Sequence, residues 1–372
     1  MKPGRISLIF AIGTFFPSLG WCFPELVRHG YVNCTSCHIS PSGGGVLTQY
    51  GRELSKEILS TWGTKSETES QFAYGIVKTP EWLDALGLYR GVYAYQNTPF
   101  IQQGQYIFMQ ADLEAAAHVN KWYLDAALGY ENKTADTSIP DHLISRRHFL
   151  NYRPTDELSF RAGRFLPNFG INTADHIIPT KRNLGWDEGL ETYNLEAAWI
   201  GEKYGLFVTG DLGRPDKPSY HREQGIAITP SIAIADTYKV GGSYFYGNSQ
   251  DSTRSVGGPW GILGFSHSVF LLTEWDIQHN SSKTGAFQTQ TGMVNYQRLD
   301  YEMIQGLHVY LTQDFSQLDF HDPRSLSNSY GLGTQWFPRP HFEFNLSWQK
   351  LRTLSVTEGY TDFAWFMFNI YL

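Results

Sequence analysis

Between Leu83 and Leu372, apolar and polar residues alternate through segments of about 9 to 12 residues, each closed by a polar turn. Successive residues of a strand point to opposite faces, so each segment has one apolar side and one polar side. Ile107, Met109, Ala111, Leu113, Ala115 and Ala117 oppose Gln110, Asp112, Glu114 and His118. Val269, Leu271, Trp275 and Ile277 oppose Glu274, Asp276 and Gln278, and Leu307, Val309 and Leu311 oppose His308, Tyr310, Thr312 and Asp314. In 341–349, Phe342, Phe344, Leu346 and Trp348 oppose His341, Glu343, Asn345 and Gln349. Sixteen segments can be laid out, from 86–97 to 361–372. Asn120 with Lys121, Asp236 with Thr237 and Asp300 with Tyr301 serve as tight turns, and 132–142, 166–189 and 213–223 as longer loops. At roughly 18 residues per strand and connection, the expectation is a mostly-β transmembrane antiparallel barrel of about sixteen strands, apolar face to lipid. Asp112, Glu114, Asp125, Glu196, Glu274, Asp276 and Glu343 would then line a lumen with Arg147 and Arg161, as structural pairs before any selectivity filter. A soluble β-sandwich shares the alternation, but its outward positions should be polar.

Composition excludes several other classes. Charged residues make up 17% of the 372 and aromatics 15%, yet beyond the N-terminus no apolar run reaches the 18 or so residues of a spanning helix. A helical transporter is excluded. Disorder requires high net charge and few aromatics, against a net charge of −7 here. Nucleic acid is not an expected partner, because no basic face is visible.

At the N-terminus, Lys2 and Arg5 precede the apolar run Ile6 to Phe16, then the small residues Ser18, Gly20 and Cys22. This reads as a secretory signal over 1–22, cleaved after Gly20 or Cys22, with bulky Trp21 arguing against a lipoprotein site. The remainder divides into a haem-binding segment over 23–66, a linker over 67–82 and the barrel over 83–372. The exported chain would keep Cys34 and Cys37, too few for a disulfide framework.

Cys34, Thr35, Ser36, Cys37 and His38 form C-x-x-C-H, the attachment signature of a c-type haem. Two thiols at this spacing meet two vinyl groups on one macrocycle edge, and the adjoining imidazole of His38 turns onto the iron. A disulfide oxidoreductase would need a surrounding βαβ pattern, and a zinc site a second ligand pair. The cofactor expected is one covalent haem c. For the second axial position His29, nine residues before His38, is the candidate, with a solvated loop histidine, a barrel-wall histidine and a five-coordinate iron as alternatives. Gly43, Gly44 and Gly45 let backbone pass close to a flat porphyrin. Leu47, Tyr50, Leu54 and Ile58 mark one face of a short helix ending at Gly63. Arg52 on that helix either pairs with a haem propionate or is simply exposed.

Phe23, Pro24, Asn33 before the motif, the glycine loop, and Tyr50, Gly51, Arg52, followed by a porin-like barrel, resemble the fused monohaem cytochrome-porins of the bacterial outer membrane. The resemblance implies that Cys34 and Cys37 attach the haem, that His38 ligates it, and that the haem segment plugs a barrel of sixteen or so strands. It also implies electron transfer across the outer membrane between periplasmic carriers and an extracellular donor or acceptor, ferrous iron being the donor in several members. The Gly43 to Gly45 insert and the Arg52, Glu53, Leu54 continuation depart from that family and leave the donor open. Arg161, Ala162, Gly163, Arg164, Phe165, then Phe169 and Gly170, are similar to a phrase of phosphate-selective and related anion porins. Phe366, Phe368, Ile370 and Leu372 look like an outer-membrane assembly signal, apart from the non-aromatic end. Such a chain is an electron carrier, not a side-chain-catalysed enzyme. Two other functions stay open at this point: a solute porin whose haem segment is a plug or sensor, and a soluble periplasmic cytochrome with a β-domain.

Overall fold

A computed structural model describes residues 24–63, 72–130, 142–175, 178–215, 222–285 and 288–372. The signal reading over 1–22, with Cys22, lies outside them. Sixteen strands form: β1 (Leu83–Asn97), β2 (Gln102–Val119), β3 (Trp122–Tyr130), β4 (Leu143–Tyr152), β5 (Leu158–Phe165), β6 (Thr192–Ile200), β7 (Tyr204–Asp211), β8 (Gln224–Ile234), β9 (Tyr238–Asn248), β10 (Ser252–Gly264), β11 (Val269–Ser282), β12 (Gln290–Ile304), β13 (Leu307–Gln317), β14 (Leu326–Trp336), β15 (Phe342–Thr353) and β16 (Thr361–Tyr371). Each pairs antiparallel with its chain neighbour, and β1 pairs with β16 from Leu88↔Tyr371 to Asn97↔Asp362. The sheet is a closed barrel and leaves no open edge.

Connections at one end are short. Asn120 at φ 54°, and Ala235 and Asp236 at φ 50° and 60°, turn the chain there. The connections at the other end include 166–191, so the barrel has a short-turn end, which also receives the start of β1 and the end of β16, and a loop end. In lipid-embedded barrels the short turns face the periplasm.

Outward positions are apolar, as the alternation predicts: Leu113, Leu195, Ile277, Leu311 and Leu346 are all exposed. Trp122, Trp199, Tyr204 and Tyr301 stand exposed near the short turns, where a lipid-facing barrel carries an aromatic girdle. Inward, Glu114, Asp125, Arg161, Glu196, Glu274, Asp276 and Glu343 are buried.

Two expectations are corrected. Asp300 and Tyr301 are not a turn. Asp300 lies inside β12, 0% exposed, accepting from His308 Nδ1 at 2.7 Å and from Arg298 Nη2 at 2.6 Å, and the chain reverses at Gln305 and Gly306. An acid reads as a turn former in sequence, whereas here Arg298 of the same strand and His308 of the next pair with it on the inner face. Ile107 does not share the outward face of Leu113 either. The register of β1 and β2 shifts between Arg90 and Gly91, so Ile107 pairs with Val92 and Phe108 with outward Gly91. One extra residue in a strand inverts every side chain beyond it.

Two segments occupy much of the lumen. Residues 24–63 enter from the short-turn end as a plug, and the 166–191 loop folds inward from the loop end. Val27 of the plug and Ile171 of the loop share one apolar core with Trp260, Ile262, Phe270, Leu272 and Tyr296 of the inner face. Phe169, Leu184 and Trp186 pack with Ala227, Phe245, Val256 and Val294 in a second core. Side chains at lumen positions thus serve as hydrophobic core wherever another segment covers them.

Candidate functional site

The plug opens with a 3-10 helix, Pro24–His29. Residues 34–38 make one tight turn in which Cys37 N–H and His38 N–H both donate to Cys34 O, at 3.2 and 3.0 Å. His38 then bridges to Leu47, with Ile39 N–H on Val46 O at 3.1 Å, so the glycine-rich residues between them form a small hairpin. Thr48 caps α1 (Gln49–Leu54), accepting from Gly51 N–H at 3.0 Å, and its own hydroxyl donates to Ser36 O at 2.8 Å. A cap that also grips the motif turn fixes the helix onto it. Gly51 is required at the contact, because a Cβ there would run into the Cys37 carbonyl. A π-helical turn, Ser55–Leu59, ends the element four residues before Gly63. The predicted apolar face forms nonetheless: Leu47 and Leu54 bury with Leu26, Tyr31 and Cys37, and Tyr50 and Ile58 pack against them.

Between plug, inward loop and barrel wall lies a cavity of about 380 Å³. Cys34 and His38 line it together with Val27, Tyr31, Leu47 and Leu59 of the plug. Cys37 is 0% exposed and lies in the apolar cluster just behind. Neither cysteine is in a disulfide. A haem suits this donor set: two reduced thiols one turn apart, an imidazole next to the second, apolar walls, and a space in the range of ligand pockets, roughly 300–1,000 Å³. The macrocycle edge would enter the Leu26, Tyr31, Leu47 and Leu54 cluster to reach Cys37.

The other sequence candidates fall in different places. His29 is at the short-turn rim, its ring stacked on His267 at 5.3 Å between centroids, with Arg28 Nε 3.1 Å from its Nε2. Burial, then the Arg28 charge, pushes its pKa down to about 4. It does not line the cavity, and binding iron would mean giving up both neighbours. Arg52 is not an exposed arginine: it is buried and donates through Nη2 to Ala85 O of β1. Burial lowers its pKa. Gly45, at φ 65°, sits where a Cβ would overlap Arg147 Nη2, so its missing side chain admits the wall's guanidinium against the plug.

Barrel side chains hold the plug mainly by its carbonyls. Lys239 Nζ donates to Val32 O at 2.6 Å, Gln305 Nε2 to Glu57 O and Ser60 O at 2.9 and 2.8 Å, and Arg153 Nη2 to Ile39 O. Arg28 adds an ion pair with Glu302 at 2.7 Å. Deeper in, Arg161 pairs with Glu196 at 2.8 Å and donates to Ser40 and Ser42 of the plug at 3.0 and 3.3 Å. Ser42 O accepts from Asn172 Nδ2 of the inward loop at 2.5 Å, joining the two inserted segments. These wall contacts were not legible from sequence. The inward course of 166–191 had a signal, since Phe169, Ile171, Leu184 and Trp186 are an unusual apolar load for a solvated loop.

No family model and no curated sequence matches the chain. Solved structures do match its fold. OmpT of Vibrio cholerae aligns at TM-score 0.59 and 10% identity over 80% of this chain and 100% of that one. The outer membrane channel DcaP of Acinetobacter baumannii aligns at 0.57 and 13%, over 80% and 99%, and an anion-selective porin from Comamonas acidovorans at 0.58 and 12%, over 78% and 99%. The architecture is therefore that of the sixteen-stranded porin-like barrels of outer membranes, and at these identities the likeness concerns the fold.

Proposed function

We propose that the chain is an outer-membrane barrel that carries a covalent haem c on its plug and passes electrons between a periplasmic carrier and an extracellular donor or acceptor, ferrous iron being one candidate. The observation that carries this reading is the position of the motif: Cys34 and His38 face a cavity inside the barrel, not a tail outside it. The haem supplies reversible one-electron chemistry when bound. Cys34 and Cys37 would hold its edge and His38 its iron, while Val27, Tyr31, Leu47 and Leu59 exclude water. His29 is the candidate second ligand only if the rim contact with His267 opens. The plug sets access: Asn33 Nδ2 donates to Gly201 O at 3.0 Å, and Thr61 and Trp62 N–H groups donate to Phe337 O and Pro338 O, each at 2.9 Å, so its contacts reach widely separated turns of the rim. An obstructed end favours electron movement over bulk solute flow. Haem reduction in sealed vesicles by an impermeant external donor tests this. Intact haem that stays oxidised under that donor refutes it.

A second reading has its own support. The fold is shared with porins and channels, and the cavity wall carries Glu114, Arg147 and Arg161, as an ion path would. Steady conductance of the reconstituted full chain, unaffected by haem oxidation state, would favour a solute porin with a haem-bearing plug.

A further inference from the structure

We propose that Arg90, on the inner face of β1, anchors a carboxylate inside the lumen, and that the propionate edge of the plug-borne haem is that carboxylate. The inference rests on the haem reading for the source of the carboxylate, not for the existence of the site. Other buried arginines in the lumen touch their counter-charges: on the wall Arg147 pairs with Glu114 and with Asp125 at 3.4 Å, Arg161 with Glu196 at 2.8 Å and Arg298 with Asp300 at 2.6 Å, and on the plug Arg28 pairs with Glu302 at 2.7 Å. Arg90 is different. It is 5% exposed, lines the cavity, and among the described residues makes neither hydrogen bond nor ion pair, its Nε included. Its cross-strand neighbours are Gln110 and Asn369. Both turn their amide N–H away, to Asp112 and to Glu343. Glu343, the nearest acid whose charge acts on Arg90, does not touch it and accepts instead from Gln335 at 2.7 Å and Asn369 at 3.1 Å. A buried guanidinium with no carboxylate in direct contact is left without hydrogen-bond acceptors, and its planar fork matches a carboxylate.

The position suits the group that would be attached below. Leu86 packs against Ile39 and Val46 of the plug, and Arg90 lies four residues farther along β1, roughly 13 Å toward the loop end. Leu88, between them on the same face, also lines the cavity, so the space from the motif turn to Arg90 is continuous. Arg52, the other arginine suited to a propionate, is committed to Ala85 O.

The test uses the full haem-loaded chain in detergent, with Arg90→Gln and Arg90→Lys, and the same substitutions in a thiol-less Cys34→Ala, Cys37→Ala chain. Removing a cation beside the haem favours the ferric form, so Arg90→Gln should lower the midpoint potential and introduce a pH dependence on the acid side, and Arg90→Lys should restore most of both. Arg90→Gln should also destabilise the haem-loaded protein to heat while leaving the thiol-less one as stable or more so, a change of sign that a merely structural arginine would not give. If the midpoint is unmoved but benzoate or acetate blocks conductance of the thiol-less channel, and Arg90→Gln abolishes the block, the carboxylate site stands and a solute is its source. An unmoved midpoint with no such block overturns the proposal. Wild-type protein without covalent haem would refute the haem reading instead and leave the benzoate measurement to decide the site.

Discussion

Two segments enter the same lumen from opposite ends, and the balance of polar grip and apolar burial that holds them differs. The plug is gripped from outside itself, by barrel side chains that donate to its carbonyls, as Lys239 does to Val32 and Gln305 to Glu57 and Ser60. The 166–191 loop also has carbonyls gripped by the wall, Asn168 O by Thr229 Oγ1 at 2.7 Å and Leu184 O by Arg254 Nη1 at 2.6 Å, but it adds aromatic burial: Phe169 stacks on Trp186 at 5.2 Å, and Trp186 meets Phe245 edge-on at 4.9 Å. Its backbone ties, Ile171 N–H to Glu274 at 2.9 Å and Gly170 N–H to Ser243 at 2.8 Å, position it within that core. A segment held by many modest polar contacts can carry a rigid cofactor without its own large core. A segment held by three or four aromatic and aliphatic anchors is locked or lost as a unit.

The largest expected effect separates the two outright. Cys34→Ala with Cys37→Ala should remove all covalent haem, read as loss of haem staining on a denaturing gel, while the barrel keeps its heat-modifiable migration. Retained stain would refute the role given to the motif turn. Next comes the loop: Trp186→Ala should lower unfolding stability in urea by about 3–5 kcal/mol, because a buried aromatic leaves a cavity that the closed sheet cannot collapse into. Less than about 1 kcal/mol would mean that the core around Phe245 is not what holds the loop. Arg28→Ala should weaken the plug by about 1.5–3 kcal/mol, seen as faster protease cleavage within 24–63, since a charged hydrogen bond to Glu302 is lost. The effect should fall at the low end because Gly306 N–H still donates to Glu302, at 2.8 Å.

The smallest effect is a pH dependence. Docked, His29 titrates at about 4 against an ordinary value near 6.5, through burial and then the charges of Arg28, His267 and His308. Below about 6.5 the undocked plug takes up a proton that the docked one does not, so docking weakens as pH falls from about 6.5 to about 4 and is unaffected above that window. Glu302, between Arg28 and His308, faces the same cluster and softens the slope. His29→Gln should flatten the pH profile of protease cleavage. An unchanged slope would remove His29 as its origin.

The strands were legible because lipid and lumen impose a two-residue period on each of them, and the same period put Glu274, Asp276 and Glu343 inside. What escaped was set by side-chain partners that the local pattern does not reveal. Asp300 looks like a turn until Arg298 and His308 are beside it. Phe270 and Leu272 face inward and are apolar because Val27 and Ile171 cover them, which no local pattern encodes. Arg52 reads as a surface charge until Ala85 O is in reach. For the motif, sequence offers a chemistry for Cys34, Cys37 and His38, and the structure gives only their place within the barrel.

The closing seam between β1 and β16 imposes a chronology on biogenesis. Cys37 is fully enclosed in the apolar cluster of the docked plug, so it is out of reach while the plug stays docked in the closed ring of strands. Anything to be bonded there would have to be installed before the plug docks, so the ornament precedes its setting.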